Sequence, residues 1–185
     1  MKAVSGHITF PSYALKENSS PPETRTPRRI MILPFFMEGD RMRFSHHVFD
    51  MVRADFHARL LYKLRDFGYE IVLKHHPEFP VPVPQKVIED CNIEVLYGNF
   101  EDVLDRADTI LYFYHYTTAF IPGIKSNRNI VLLDMEYEAW DKDKKAMLAR
   151  RAAIVTAPHD AANRIALDCE VLRTAIERSP SLRDT

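Results

Sequence analysis

Six short apolar runs alternate along this chain with segments of helical periodicity, and that alternation restricts the fold more than any other feature. The runs cover residues 30–36, 69–73, 93–97, 109–113, 130–134 and 153–156. Ile30-Met31-Ile32-Leu33 and Ile130-Val131-Leu132-Leu133 have no polar alternation. Continuous apolar runs of this length suit strands covered on both faces, as in a parallel sheet. Pro34 falls near the end of its run, where a missing N–H donor costs least. Between the first two runs, Val52, Phe56, Leu60, Leu64 and Phe67 recur at helical spacing. They predict one long helix from about residue 48 to 67, with Gly68 after it as a residue able to take positive φ.

The remaining connections are shorter. A short helix is expected over 85–90. Asn99 is expected to cap a helix of about two turns, with Glu101 and Asp102 in its first turn, where the helix dipole favours acid. A short helical segment holds Pro122 and Gly123, and a charged helix is expected over 139–151. Asp160 is expected to cap the last helix, with Ile165, Cys169, Leu172 and Ile176 along one face and Ser179-Pro180 ending it. The whole pattern predicts an α/β fold, a single lobe with a mostly parallel sheet of about six strands and helices on both faces. Residues 1–29, rich in proline, hydroxyl and charge, read as a flexible N-terminal segment; residues 30–178 form the lobe; residues 179–185 are a C-terminal tail.

Composition excludes several classes. With 25 basic and 26 acidic side chains the net charge is −1, so nucleic-acid binding driven by bulk charge is not expected. Cys91 and Cys169 form neither a disulfide framework nor a metal-ligand spacing and read as reduced core thiols. The histidine pairs His46-His47 and His75-His76 are adjacent residues, which point apart and chelate one metal poorly. No metal and no cofactor are expected. The chain has five glycines, and it lacks both Gly-x-Gly-x-x-Gly and a P-loop. No Gly-x-Ser-x-Gly elbow is present. No run is long enough to span a membrane, and no signal-peptide core precedes the first strand. A cytoplasmic protein is expected, one that could lie peripherally at the inner membrane through a partner.

Ligands of open α/β sheets bind outside the carboxyl ends of the strands. Two such ends carry suitable chemistry. Lys74-His75-His76-Pro77 places an ammonium and two imidazoles on a proline-stiffened loop, and an imidazole can donate to a phosphate oxygen. The plain alternative is an ordinary loop histidine, a reading that weighs more on His75 than on His76. Tyr116-Thr117-Thr118 brings hydroxyls and free N–H groups to a helix start, a ready anion site. The plain alternative there is a threonine N-cap. Arg41, Arg43, His46 and His47 follow the first strand, either as phosphate contacts or as a solvated basic loop.

These stretches resemble a known family. Residues 32–36 with the loop and helix that follow are similar to the first strand and helix of the C-terminal, nucleotide-binding lobe of GT-B glycosyltransferases. Glu70-Ile71-Val72-Leu73-Lys74-His75-His76-Pro77-Glu78 resembles the His-Pro motif of transferases that build bacterial capsule and lipopolysaccharide, among them the CDP-glycerol glycerophosphotransferases. Residues 108–134 are similar to the strand, Ser/Thr pair, helix and strand that follow in that family. The resemblance spans residues 30–178 and implies a Rossmann-like lobe that binds a nucleotide-activated sugar or polyol, with CMP- or CDP-linked donors favoured. It implies that His76, in a catalytic role, stabilises charge on the leaving phosphate, that Thr117 and Thr118 hydrogen-bond the same group, and that Lys74 adds positive potential. It implies a structural role for Arg128 before the fifth strand.

The sequence departs from that family at two positions. Pro122 stands where the family carries an acidic residue, and His75 where proline is common. A GT-B enzyme also has a second, acceptor-binding lobe. A second lobe, a partner transferase or a homodimer is therefore an expected partner. A non-catalytic partner-binding module derived from such a lobe is the alternative function. A small phosphate-ester enzyme is a third, for which the sequence offers no nucleophile or metal site.

Overall fold

In the computed structural model the described residues are 28–35, 49–76, 78, 83–137 and 139–179. The basic loop with Arg41, Arg43, His46 and His47, the first 27 residues and Pro77 lie outside them. Six strands are formed where the apolar runs predict them. They are β1 (Arg29–Leu33), β2 (Glu70–Lys74), β3 (Glu94–Leu96), β4 (Thr109–Tyr112), β5 (Asn129–Asp134) and β6 (Ala153–Thr156). Every pairing is parallel and the order is β3-β2-β1-β4-β5-β6. The α/β, doubly wound expectation therefore holds.

Alternation along the buried strands sorts their side chains onto two faces. Ile30, Ile32, Ile71, Leu73, Leu111, Phe113, Val131 and Leu133 pack in one core. That core is covered by α1 (Asp50–Asp66), α2 (Gln85–Asp90) and α5 (Cys169–Arg178). Met31, Leu33, Val72, Ile110, Tyr112, Ile130 and Leu132 point the other way. This second face carries α3 (Phe120–Lys125) and α4 (Lys142–Ala149). Gly68 takes the positive φ, 82°, that releases the chain from α1 into β2.

Two helix boundaries differ from the sequence expectation. Asn99 caps no helix. Its amide donates to Asp102 at 3.2 Å, and the segment forms only a 3₁₀ turn over Leu104–Arg106. Phe100 and Ala107 are both buried, and the few residues between them must cross back to β4, which leaves no room for two α-turns. Asp160 likewise closes a turn, accepting from the N–H groups of Ala162 and Arg164, with Asn163 at φ 57°. The cap of α5 is Asp168, whose carboxylate accepts from Glu170 and Val171. Ile165 joins the same core from outside the helix.

Candidate functional site at the carboxyl edge of the sheet

A parallel sheet delivers every strand's carboxyl end to one edge, and the crevice opens where the strand order reverses. Here the reversal falls between β1 and β4. The helix after β1 starts at that edge. Its buried stripe is Arg53, Phe56, His57, Leu60, Leu61 and Leu64. The stripe has helical spacing, but its edge-side end is ionisable rather than apolar.

Phe35, just past β1, is buried beside these two side chains. Its N–H donates to His57 Nε2 at 3.3 Å, so the ring is an acceptor there and carries its proton on Nδ1. Phe35 stacks on Tyr114 at 5.9 Å and meets Phe113 edge-on at 5.2 Å. The Arg53 guanidinium lies 5.7 Å from the Phe35 ring centre and 3.3 Å from Asp50. Burial pulls its pKa down, and Asp50, Tyr137 and Tyr114 act against that pull. Tyr137, past β5, has its hydroxyl 3.1 Å from His159 Nε2, past β6. Burial pushes Tyr137 up to about 12, with Arg53 opposing. Tyr114 is raised for the same two reasons. The edge thus gathers one guanidinium, two phenols that keep their protons at neutral pH, and two imidazoles. Such a set can donate hydrogen bonds to an anion.

The residues singled out from the sequence are distributed along this edge. Lys74 is buried and points to the second face, where Nζ donates to the His75 carbonyl at 2.6 Å. Burial lowers its pKa, and Glu101 partly restores it. His75 packs against Tyr97 with ring centres 5.0 Å apart, and its N–H continues the ladder to Leu96. The plain loop role fits it. His76 is exposed, and its Nδ1 accepts from the Glu78 N–H at 3.2 Å. In the neutral ring the proton is then on Nε2. Partial desolvation lowers the His76 pKa, with Lys74 and His75 adding to it and Glu78 opposing. The shift favours the neutral ring, whose Nε2–H can then act as a hydrogen-bond donor.

Thr117 and Thr118 lead into α3. The Ala119 N–H donates to Thr117 Oγ1 at 3.3 Å and the Phe120 N–H to the Thr117 carbonyl at 3.0 Å. Thr117 is half-buried and Thr118 exposed. β1 runs between the strands that carry His76 and the threonines. At ordinary strand spacing those two strands lie roughly 10 Å apart. Arg128 contributes backbone, its carbonyl accepting from Arg151 at 2.7 Å. Among the described residues no group of three or more potential metal ligands converges. No helix among them is long and apolar enough to cross a membrane.

The fold and edge together define an α/β protein of Rossmann-like architecture. No protein-family model and no curated protein matches the chain. Solved structures with a similar arrangement include the E. coli heptosyltransferase WaaC with ADP-2-deoxy-2-fluoro heptose. That match has 13% identity and a TM-score of 0.45, and it covers 85% of this chain and 44% of that one. They also include the glycosyltransferase SnogD from Streptomyces nogalater, at 15% identity, TM-score 0.39, 88% of this chain and 41% of that one. A third is an imine reductase from Myxococcus stipitatus with NADP+, at 11% identity, TM-score 0.39, 73% of this chain and 42% of that one. The chain spans less than half the length of each.

Proposed function

We propose that this chain is the donor-binding lobe of a glycosyltransferase-type protein of bacterial surface polysaccharide synthesis, taking a nucleotide-activated sugar or polyol. One observation carries the reading. The strand order reverses between β1 and β4, and that point is bordered by the buried Arg53 with Tyr114, past β4, and Tyr137, past β5, close enough to act on its charge. The sequence resemblance supplies the class of ligand and favours a CMP- or CDP-linked donor.

In this reading the donor's phosphate or diphosphate lies across the end of β1. His76, neutral with its proton on Nε2, donates to the leaving phosphate as charge develops there. The Thr118 hydroxyl and the backbone around Thr117 hold the same group. Lys74 acts by fixing the His75 carbonyl and hence the loop. Arg41, Arg43 and His47 are further phosphate contacts on the loop after β1. With a sugar donor the anomeric carbon–oxygen bond breaks and the nucleotide departs with the electron pair; with a CDP-polyol the phosphoanhydride P–O bond breaks, CMP departs with the electron pair and the polyol phosphate is transferred. In both cases an acceptor hydroxyl forms the new bond and its proton passes to a base of the second lobe or to solvent. The acceptor comes from a second lobe or a partner.

Calorimetric titration with CMP, CDP, UDP and GDP tests the proposal. A cytidine nucleotide is expected to bind, with affinity reduced about tenfold in His76→Ala, an equivalent of about 1.4 kcal/mol. No heat at millimolar nucleotide from a folded protein would contradict it. That result would favour the alternative, a partner-binding module derived from such a lobe, which the exposed Tyr116, Ile121 and Met147 on and beside α3 and α4 support.

A further inference from the structure

The crossover from β5 to β6 leaves a gap. Its helix, α4, has no buried residue, although a crossover helix ordinarily presses an apolar stripe onto its sheet. A cavity of about 690 Å³ opens between α4 and the last residues of β5 and β6. That volume falls within the range of small-molecule sites. Its polar lining is Asp134, Glu136, Trp140, Lys142, Lys145 and Thr156. Its smooth walls are Ala146 and Ala149 of α4 and Ile154 of β6.

Among the described residues the lining is charge-balanced, with two carboxylates and two ammonium groups. It is also fixed in place. Asp134, whose side chain is 5% exposed, accepts from Lys145 Nζ at 2.6 Å and from the Glu136 N–H at 3.0 Å. The second of these bonds holds Glu136 at φ 58°. Lys145 Nζ also lies 5.9 Å from the Trp140 ring centre. The Trp140 indole also hydrogen-bonds the Asp134 carboxylate, which retains one further acceptor position. Acceptors and donors therefore interleave around an indole and a small-residue wall.

We infer that this cavity binds a neutral polyhydroxylated ligand, a monosaccharide or polyol. Each hydroxyl of such a ligand both donates and accepts, so it can satisfy carboxylate, ammonium and Thr156 hydroxyl together. Its C–H face suits the indole, Ala146 and Ile154. The cavity lies on the second face under α4, with Trp140 in ring contact with His115 on the loop that leads to Thr117, and its ligand carries no phosphate.

Trp140 is the chain's one tryptophan, so its indole N–H gives a single resonance that reports on the cavity. The full chain is titrated with glycerol, D-glucose, D-galactose and N-acetyl-D-glucosamine, with inorganic phosphate, choline and CMP as charged probes. We expect a saturable shift with at least one neutral probe. The shift is lost in Ala146→Phe, which fills the cavity from an exposed helix position, and weakened in Glu136→Gln, which serves should the first variant fold poorly. CMP affinity measured by calorimetry is unchanged in both variants, so the two readings fail separately. No saturable shift with any neutral probe overturns the inference. So does a shift that survives in both variants, or one produced by the charged probes alone.

Discussion

Asp134 keeps its charge in a buried position because donors converge on it. Burial alone would raise its pKa. Hydrogen bonds from Lys145, from the Glu136 amide and from the Trp140 indole outweigh burial and hold the carboxyl below its usual range. A carboxyl lowered in this way stabilises the fold fully above its unfolded value of about 4, and the contribution fades as pH falls through the folded value. Asp134→Asn is expected to cost about 1–3 kcal/mol at neutral pH, between an exposed pair and the roughly 3–5 kcal/mol of a fully buried one because Lys145 is partly exposed. Urea unfolding should show a wide gap between parent and variant at pH 7. The gap should narrow as the pH drops below about 4. A gap independent of pH would contradict this origin.

The element that positions Thr117 and Thr118 is α3, and its six residues are held from both ends. Pro122 is its third residue, where the N–H has no intrahelical partner in any case. Gly123 is required by packing, because a Cβ there would come within 1.9 Å of the Tyr112 hydroxyl oxygen. That hydroxyl donates to the Ala119 carbonyl at 2.9 Å and ties the start of α3 to β4. At the other end Arg151 donates to the carbonyls of Ile124, Ser126 and Arg128 at 3.0, 2.7 and 2.7 Å. Charge-assisted bonds of this kind are worth more than neutral ones. Arg151→Ala should therefore lower stability by about 2–3 kcal/mol, and Arg151→Lys should recover little, because one ammonium cannot reach three carbonyls as a planar fork does. Thermal unfolding measures both. A loss below about 0.5 kcal/mol, the size of an ordinary surface change, would contradict the clamp.

At the scale of the whole molecule, the sheet was legible because its signal is carried by many residues at once. Six continuous apolar runs allow little besides a two-sided parallel sheet, and the position of α1 followed from spacing and from Gly68. The boundaries that failed rested on single residues. Asn99 and Asp160 have cap chemistry, but that chemistry serves turns as readily as helices. The site was legible only in part. The spacing of α1 pointed to Val52 and Phe67 as part of its buried face, whereas the fully buried stripe includes Arg53 and His57. An apolar-weighted pattern passes over ionisable residues, yet two of them in register with Phe56, Leu60 and Leu64 were the available sign of a polar group buried at the edge. Tyr114, Tyr137 and His159 each follow a strand by two or three residues. Nothing in their local sequence distinguishes them, and only the order of the sheet brings them to Arg53.

The most direct test is backbone amide shift mapping of the isotopically labelled chain during titration with CDP. The nucleotide reading predicts that the perturbed amides cluster at the carboxyl edge, at His76, Tyr114, Thr117 and Thr118 and around Arg53 at the start of α1. Perturbations confined to the far edge at α2 and β3, or none at saturating nucleotide, would contradict it.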